Sequence, residues 1–163
     1  MFGEFPLDGQ QPDALPIPPR SVPPATANRL ALVLFSGTID RLMSASIMAT
    51  GAAAMGMDVE IFLTNWGALA FRKGDHHTNR RISASFADYQ SYLLEQMAAK
   101  NVTSWMENLE GAKEIGNVHI AACSHTMTLF DLTLEDLEPI VDEVTGVAAF
   151  LERAHDSAMS LYI

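Results

Sequence analysis

Apolar residues along this chain fall into five short runs separated by stretches of helical or polar spacing, and that alternation predicts an α/β protein. Leu30-Ala-Leu-Val-Leu-Phe-Ser36 is a continuous apolar run ending in Ser-Gly, as a strand buried on both faces of a parallel sheet should be. Ser36 or Thr38 can cap a helix to about Met57, where Ala45, Ala49, Ala52 and Ala53 allow close packing on a sheet. Asp58–Thr64 supplies a second strand and completes a right-handed βαβ unit, after which Asn65–Phe71 continues as a short helix. Helical spacing returns over Phe86–Lys100 (Tyr89, Leu93, Met97) and Thr103–Ile115 (Trp105, Leu109, Ala112), with Gly116 as the stop. Val118, Ile120 and Ala121 mark a third strand, and Ser124–Phe130 resumes helical spacing. Thr133-Leu-Glu-Asp136 has the spacing of a capping box, Pro139–Val144 reads as a short strand, Thr145 can cap a helix to about Ser157, and Met159–Ile163 is a fifth strand. The expected fold is α/β, a five-stranded, mainly parallel sheet with helices on both faces.

Residues 1–29 break this pattern. They hold seven of the eight prolines and little apolar periodicity, so an extended arm is expected there and a single domain over 30–163. The arm lacks the basic start and apolar core of a signal peptide.

Composition narrows the function. A formal charge of -10 opposes nucleic-acid binding, which needs a concentrated positive surface. The longest uncharged run, Leu42–Met57, is shorter than the roughly 20 apolar residues of a bilayer span, so no membrane insertion is expected. One cysteine in 163 residues excludes an internal disulfide and suggests a reducing, cytoplasmic setting.

That cysteine, Cys123, stands where the third apolar run meets the following helix. A thiol there faces the unpaired N–H groups and positive dipole end of a helix, which favour thiolate. The alternative is a small hydrophobe closing a strand. Ligands of open α/β sheets bind outside the carboxyl ends of strands where strand order reverses, expected here between the first and third strands. Ser36-Gly37 and Cys123 end those strands, so Ser36, Gly37, Ser124, His125, Thr126 and Met127 are candidate pocket residues. His125, two residues along a helix from Cys123, is poorly placed as its base, whereas Thr126 and Met127 are better spaced to line a thiol pocket. Cys123 with His125 is too small a set for a metal, and no metal or organic cofactor is expected. Ser36-Gly37-Thr38 is neither of the usual nucleotide-binding glycine motifs.

A second locus lies at residues 72–81, which carry four of the ten Lys and Arg and two of the five His. Arg72, Lys73, His76, His77, Arg80 and Arg81 could attract an anion or partner over the site, or form a solvated surface loop.

Together, Leu32-Val-Leu-Phe-Ser-Gly37 with Asp40, Gly51-Ala-Ala-Ala-Met-Gly-Met57, Val59-Glu-Ile-Phe-Leu-Thr64 with Trp66-Gly67, Ile120-Ala-Ala-Cys123 with Met127, and Gly146-Val-Ala-Ala-Phe-Leu151 resemble the DsrE/DsrF-like family of sulfur-trafficking proteins. The resemblance covers about residues 30–163. It implies a flavodoxin-like three-layer sandwich, oligomers often built on trimers, and a cysteine after the third strand that carries sulfane sulfur as a persulfide, the position Cys123 matches. It also implies donor and acceptor proteins that are thiol carriers of the TusA or rhodanese kind. The chain departs from the family pattern in having His125 where a Met is usual, and the basic His76–Arg81 region in place of a Gly- and Met-rich segment. The expected activity is that of a sulfurtransferase-like carrier using Cys123. Two rivals remain: a non-catalytic oligomeric subunit or small-anion-binding module of a sulfur-relay complex, and a thiol peroxidase, for which the chain offers no resolving cysteine.

Overall fold

The structure, a computed structural model, describes residues 27–163; the expected Pro-rich arm lies outside the described residues except for its last three positions. Those three already belong to β1 (Ala27–Leu34), which starts ahead of the apolar run because Arg29 pairs in register with Asp58. There follow α1 (Ile39–Ala54), β2 (Asp58–Leu63), α2 (Trp66–Leu69), α3 (Asp75–Thr78), α4 (Gln90–Ala99), α5 (Trp105–Ile115), β3 (Val118–Cys123), α6 (Ser124–Leu129), β4 (Glu143–Thr145), α7 (Val147–Ala154) and β5 (Ser157–Tyr162). All the strands pair in parallel, in the order β4-β3-β2-β1-β5.

That order corrects one expectation. β2 lies between β1 and β3, so no crevice opens between those two strands. The chain steps outward from β1 to β4 and returns to the far side of β1 with β5, so the reversal of direction falls between β1 and β5.

Alternation along the strands feeds two faces. On one, Leu30, Leu32, Leu34, Val59, Ile61, Leu63, Val118, Ile120 and Ala122 join a large core with α1, α5 and Met127 of α6. The small residues of α1 sit in this core, Ala45 and Ala49 with almost no exposure. On the other face, Ala31, Phe62, Ala121 and Cys123 form a much smaller cluster with Phe150 of α7, and Val33 and Ala154 pack on its margin.

Several boundaries move for identifiable reasons. The helix expected over Phe86–Lys100 is a 3-10 turn over Ala84–Tyr89, with non-helical angles at Phe86, followed by α4. The fourth strand starts at Glu143 rather than Pro139: Asp142 N–H donates to Ile120 O (2.8 Å) while its carboxylate accepts from Ile120 N–H (2.7 Å), a side chain completing the ladder ahead of β4. Thr145 lies in β4, and Gly146 occupies the N-cap of α7. Ser104 caps α5 in a full capping box with Glu107, and Thr133 and Asp136 form another.

Candidate functional site

Cys123 is the last residue of β3 and the N-cap of α6, with extended backbone angles (φ -67, ψ 119). The strand's alternation sends its side chain to the face of Ala121, away from the large core. It is 7% exposed, packed in the cluster of Ala31, Phe62, Ala121 and Phe150. Its register partner on β4 is Thr145, two residues before α7 begins, so the starts of two helices flank this corner of the sheet. Cys123 is the N-cap of α6 by its backbone position only; its side chain makes no hydrogen bond to the first turn of the helix.

α7 is fastened over this face by charge. Arg153 Nε lies 3.4 Å from Glu60 Oε2 and its Nη2 2.9 Å from Glu143 Oε1. His119 Nδ1 lies 3.0 Å from the same Glu60 oxygen, and Arg29 donates to the carbonyl of Arg153. Phe150 stacks on Phe62 with ring centroids 4.7 Å apart and planes within 11°. Sequence reading missed this group because its members lie on β1, β2, β3, β4 and α7; the one visible signal was His119 set between Val118 and Ile120 in a strand.

The other candidates divide. Ser124 and His125 are exposed at the start of α6, next to Cys123 in the chain. Thr126 and Met127 are buried, Met127 in the large core on the opposite face from Cys123. Thr126 Oγ1 accepts from Asn65 N–H (3.0 Å) and lies 3.3 Å from Thr64 Oγ1, so it ties α6 to the end of β2. Ser36 and Gly37 belong to a separate small cavity of about 200 Å³, with Thr38, Trp66, Leu69 and Arg81. There Ser36 Oγ accepts from Thr38 N–H (3.3 Å), and the buried Asn79 donates to Gly37 O (2.8 Å).

The basic segment is anchored through its backbone and His76, while Arg72, Lys73, His77, Arg80 and Arg81 stay exposed. Arg72 bridges antiparallel to Leu137, Gly74 N–H donates to Glu138 Oε1 (2.7 Å), and His76 Nδ1 lies 2.8 Å from the same oxygen. The His76 ring abuts His77 (3.7 Å between centroids) and meets Trp105 edge-on. Arg80 and His77 border a cavity of about 640 Å³ that Glu107 and Glu110 also line, so its charge is mixed. Arg81 Nε reaches Asn79 Oδ1 at 3.5 Å and its backbone carbonyl accepts from Ile39 N–H, the first residue of α1. Among the described residues no group of three or more His, Cys, Asp or Glu could hold a metal ion.

The family model described as DsrE/DsrF/DrsH-like matches residues 26–88 and 83–162. The chain belongs to this family. YrkE, an uncharacterized protein of Bacillus subtilis, is 32% identical over 156 residues, covering 83% of this chain and 96% of that protein. The sulfur carrier protein DsrE2 of Allochromatium vinosum is 26% identical over 156 residues, covering 83% and 98%. Among solved structures, the protein of unknown function MTH1491 from Methanobacterium thermoautotrophicum superposes with a TM-score of 0.51 at 15% identity, covering 83% of this chain and 98% of that one, a likeness of fold. No helix among the described residues of this DsrE-like chain is long and apolar enough to cross a membrane.

Proposed function

We propose that this protein is a sulfur carrier that holds sulfane sulfur on Cys123. The observation that carries the reading is the placing of the chain's one cysteine at the carboxyl end of β3 and the N-cap of α6. Similarity to a protein named as a sulfur carrier supports it.

The chemistry balances without a cofactor. The Cys123 thiolate attacks the outer sulfur of a donor persulfide, R-S-SH; the S-S bond of the donor breaks, R-S⁻ leaves with the electron pair, and Cys123-S-SH forms with the proton still on the outer sulfur. An acceptor thiolate then attacks that outer sulfur, takes it as R'-S-SH and releases the Cys123 thiolate. Two S-S bonds are made and two broken, with no net oxidation. The partners in this reading are donor and acceptor thiol proteins, the working unit is a homo-oligomer, with a trimer favoured, and the setting is cytoplasmic. Because Cys123 is only 7% exposed, packed under Phe150 and its neighbours, exchange requires the α7 edge of the cluster to open.

That same burial favours the second reading, a non-catalytic subunit in which Cys123 only packs. Reduced protein treated with polysulfide, then analysed by mass spectrometry, separates the two. The carrier gains sulfur that a reductant removes and that Cys123→Ser abolishes; no gain in mass at Cys123 over the time in which a free thiol is fully modified leaves the non-catalytic reading.

A further inference from the structure

His119 and Arg153 share the same two carboxylate oxygens. Arg153, on α7, has Nε 3.4 Å from Glu60 Oε2 and Nη2 2.9 Å from Glu143 Oε1. His119, on β3, has Nδ1 3.0 Å from that Glu60 atom and Nε2 3.8 Å from that Glu143 atom. The sheet brings these groups together: Glu60 is the register partner of His119, and Glu143 that of Ala121. His119, Ala121 and Cys123 alternate onto one face of β3, so the imidazole and the thiol lie under the same helix. A carboxylate only accepts, so the neutral ring carries its proton on Nδ1, donates to Glu60 and turns the Nε2 lone pair toward Glu143. Arg153 is then the one cation bridging the two carboxylates. A second proton makes Nε2 a donor as well, and the ring becomes a rival cation on the same pair of oxygens. Among the described residues the other charged groups around them are Arg29 of β1, which donates to the Arg153 carbonyl and faces Asp58, and His155 with Asp156 just beyond α7, which pair with each other.

We infer that proton uptake by His119 loosens α7 over Cys123, so that mild acid uncovers the thiol; its use in sulfur transfer rests on the carrier reading above. Linkage fixes the direction. With α7 closed, a proton added to His119 faces the Arg153 guanidinium across the two shared oxygens. With α7 lifted, Arg153 leaves with the helix and the same proton faces Glu60 and Glu143 alone. The open arrangement accepts the proton against less opposition, and an equilibrium that binds a proton better on one side is drawn to that side by acid. Neutral His119 leaves both carboxylates to Arg153 and the cover shut. Histidine is the side chain suited to this, because its charge changes between about pH 5 and pH 8. Arg29 keeps its charge throughout that range and stays on β1, so it does not set the response. The groups are partly exposed, which limits the effect to about a three- to fivefold change in the open population.

Hydrogen exchange of the full-length chain, read by mass spectrometry on peptides from α7 and corrected for the intrinsic pH dependence of amide exchange, reports opening without involving the thiol. Opening of α7 should rise about three- to fivefold from about pH 7.5 to about pH 5.5, while α5, packed on the other face of the sheet, keeps its protection. His119→Gln retains a donor for Glu60 but takes no charge, so the rise should vanish. In Arg153→Gln it should vanish too, because the opposing charge is gone, with α7 more open at both pH values. Circular dichroism confirms that each variant is folded, and the parent's own profile against α5 stands without either. A flat or falling profile for α7 in the parent overturns the inference. So does a rise that His119→Gln preserves, which assigns the response to the carboxylates. Polysulfide loading of Cys123 at the same two pH values tests the carrier reading apart from this: no added mass at either removes that reading, while the exchange data still decide whether His119 controls α7.

Discussion

Arg153 on α7 and Glu60 on β2 meet at 3.4 Å on the face of the sheet that carries Cys123, and His119 shares the same Glu60 oxygen. Glu60 is 9% exposed, so this carboxylate is held under the helix rather than in bulk water. The contact fastens the carboxyl half of α7 while Phe150, three residues earlier, closes the cluster around the thiol. Arg153→Ala should therefore free α7 locally and leave Glu60 short of a partner. Partly exposed ion pairs contribute about 1 kcal/mol at most, which corresponds to about a fivefold rise in the open population. The rate at which a thiol reagent modifies Cys123 measures this. Leu109→Ala, on the opposite core, serves as a control: it lowers global stability, and if it accelerates labelling as much as Arg153→Ala at low denaturant, the labelling reports global unfolding and not α7.

Phe150 carries the packing side of the same device. It is 3% exposed and stacked on Phe62. Phe150→Ala should cost about 3–4 kcal/mol, within the range for removing a buried aromatic. Urea unfolding followed by circular dichroism would show it as a lower midpoint with little change of slope, and Phe150→Leu should recover more than half the loss.

Much of the fold was legible because the strands are short apolar runs and their spacing leaves few alternatives. Leu30–Leu34, Ile61–Leu63 and Val118–Ala122 could hardly be other than buried strands. Strand order was not legible. It depends on whether each crossover lays the next strand to the left or right, and nothing local to Ser36 or Cys123 says that β2 passes between them. The position of Cys123 at a strand-to-helix turn could be read from the run that stops there, whereas its cover could not. Phe150, Glu60 and Arg153 meet only once β2 and α7 are stacked. The anchoring of the basic segment was hidden for a related reason: the sequence shows its charges clustered, and the structure shows Glu138, more than 60 positions away, accepting from Gly74 and facing His76.

Two glycines hold the carboxyl edge of the sheet together. A Cβ on Gly37 would stand 2.3 Å from Trp66 O, and one on Gly67 2.1 Å from Leu34 O, so the loops after β1 and β2 touch backbone to backbone. Carbonyl oxygens in hydrogen-bonded loops cannot retreat as a flexible side chain can. Gly37→Ala and Gly67→Ala should each lose about 3 kcal/mol or more. Gly51 is the contrast: it lies within α1 with nothing inside 4 Å of its missing Cβ. Gly51→Ala should raise stability by about 0.5–1 kcal/mol through the helix propensity and backbone entropy of alanine. A shared set of urea curves checks all three, and a destabilised Gly51→Ala would mean that this face of α1 is occupied by another molecule.

Asp40 links the first turn of α1 to the segment that follows the basic locus. Burial works to raise its carboxyl, but the hydroxyls of Ser83 and Thr38 and the Ser83 backbone N–H outweigh it and hold the group below the usual aspartate value. Ser83 Oγ donates to Oδ2 at 2.5 Å and its N–H to Oδ1 at 3.1 Å. A group whose folded value lies below its unfolded value binds fewer protons when folded, so its contribution is fully present above the unfolded value, about pH 4 for aspartate, and fades as pH falls through the folded one. Ser83→Ala removes the hydroxyl but keeps the backbone donor. The variant should be less stable than the parent at pH 7, and the gap should narrow as both are taken from about pH 4 down to about pH 2.5. Urea midpoints across that range decide it: a gap that stays constant would show that Ser83 stabilises the turn by packing alone, whereas a narrowing one assigns the effect to the charge on Asp40.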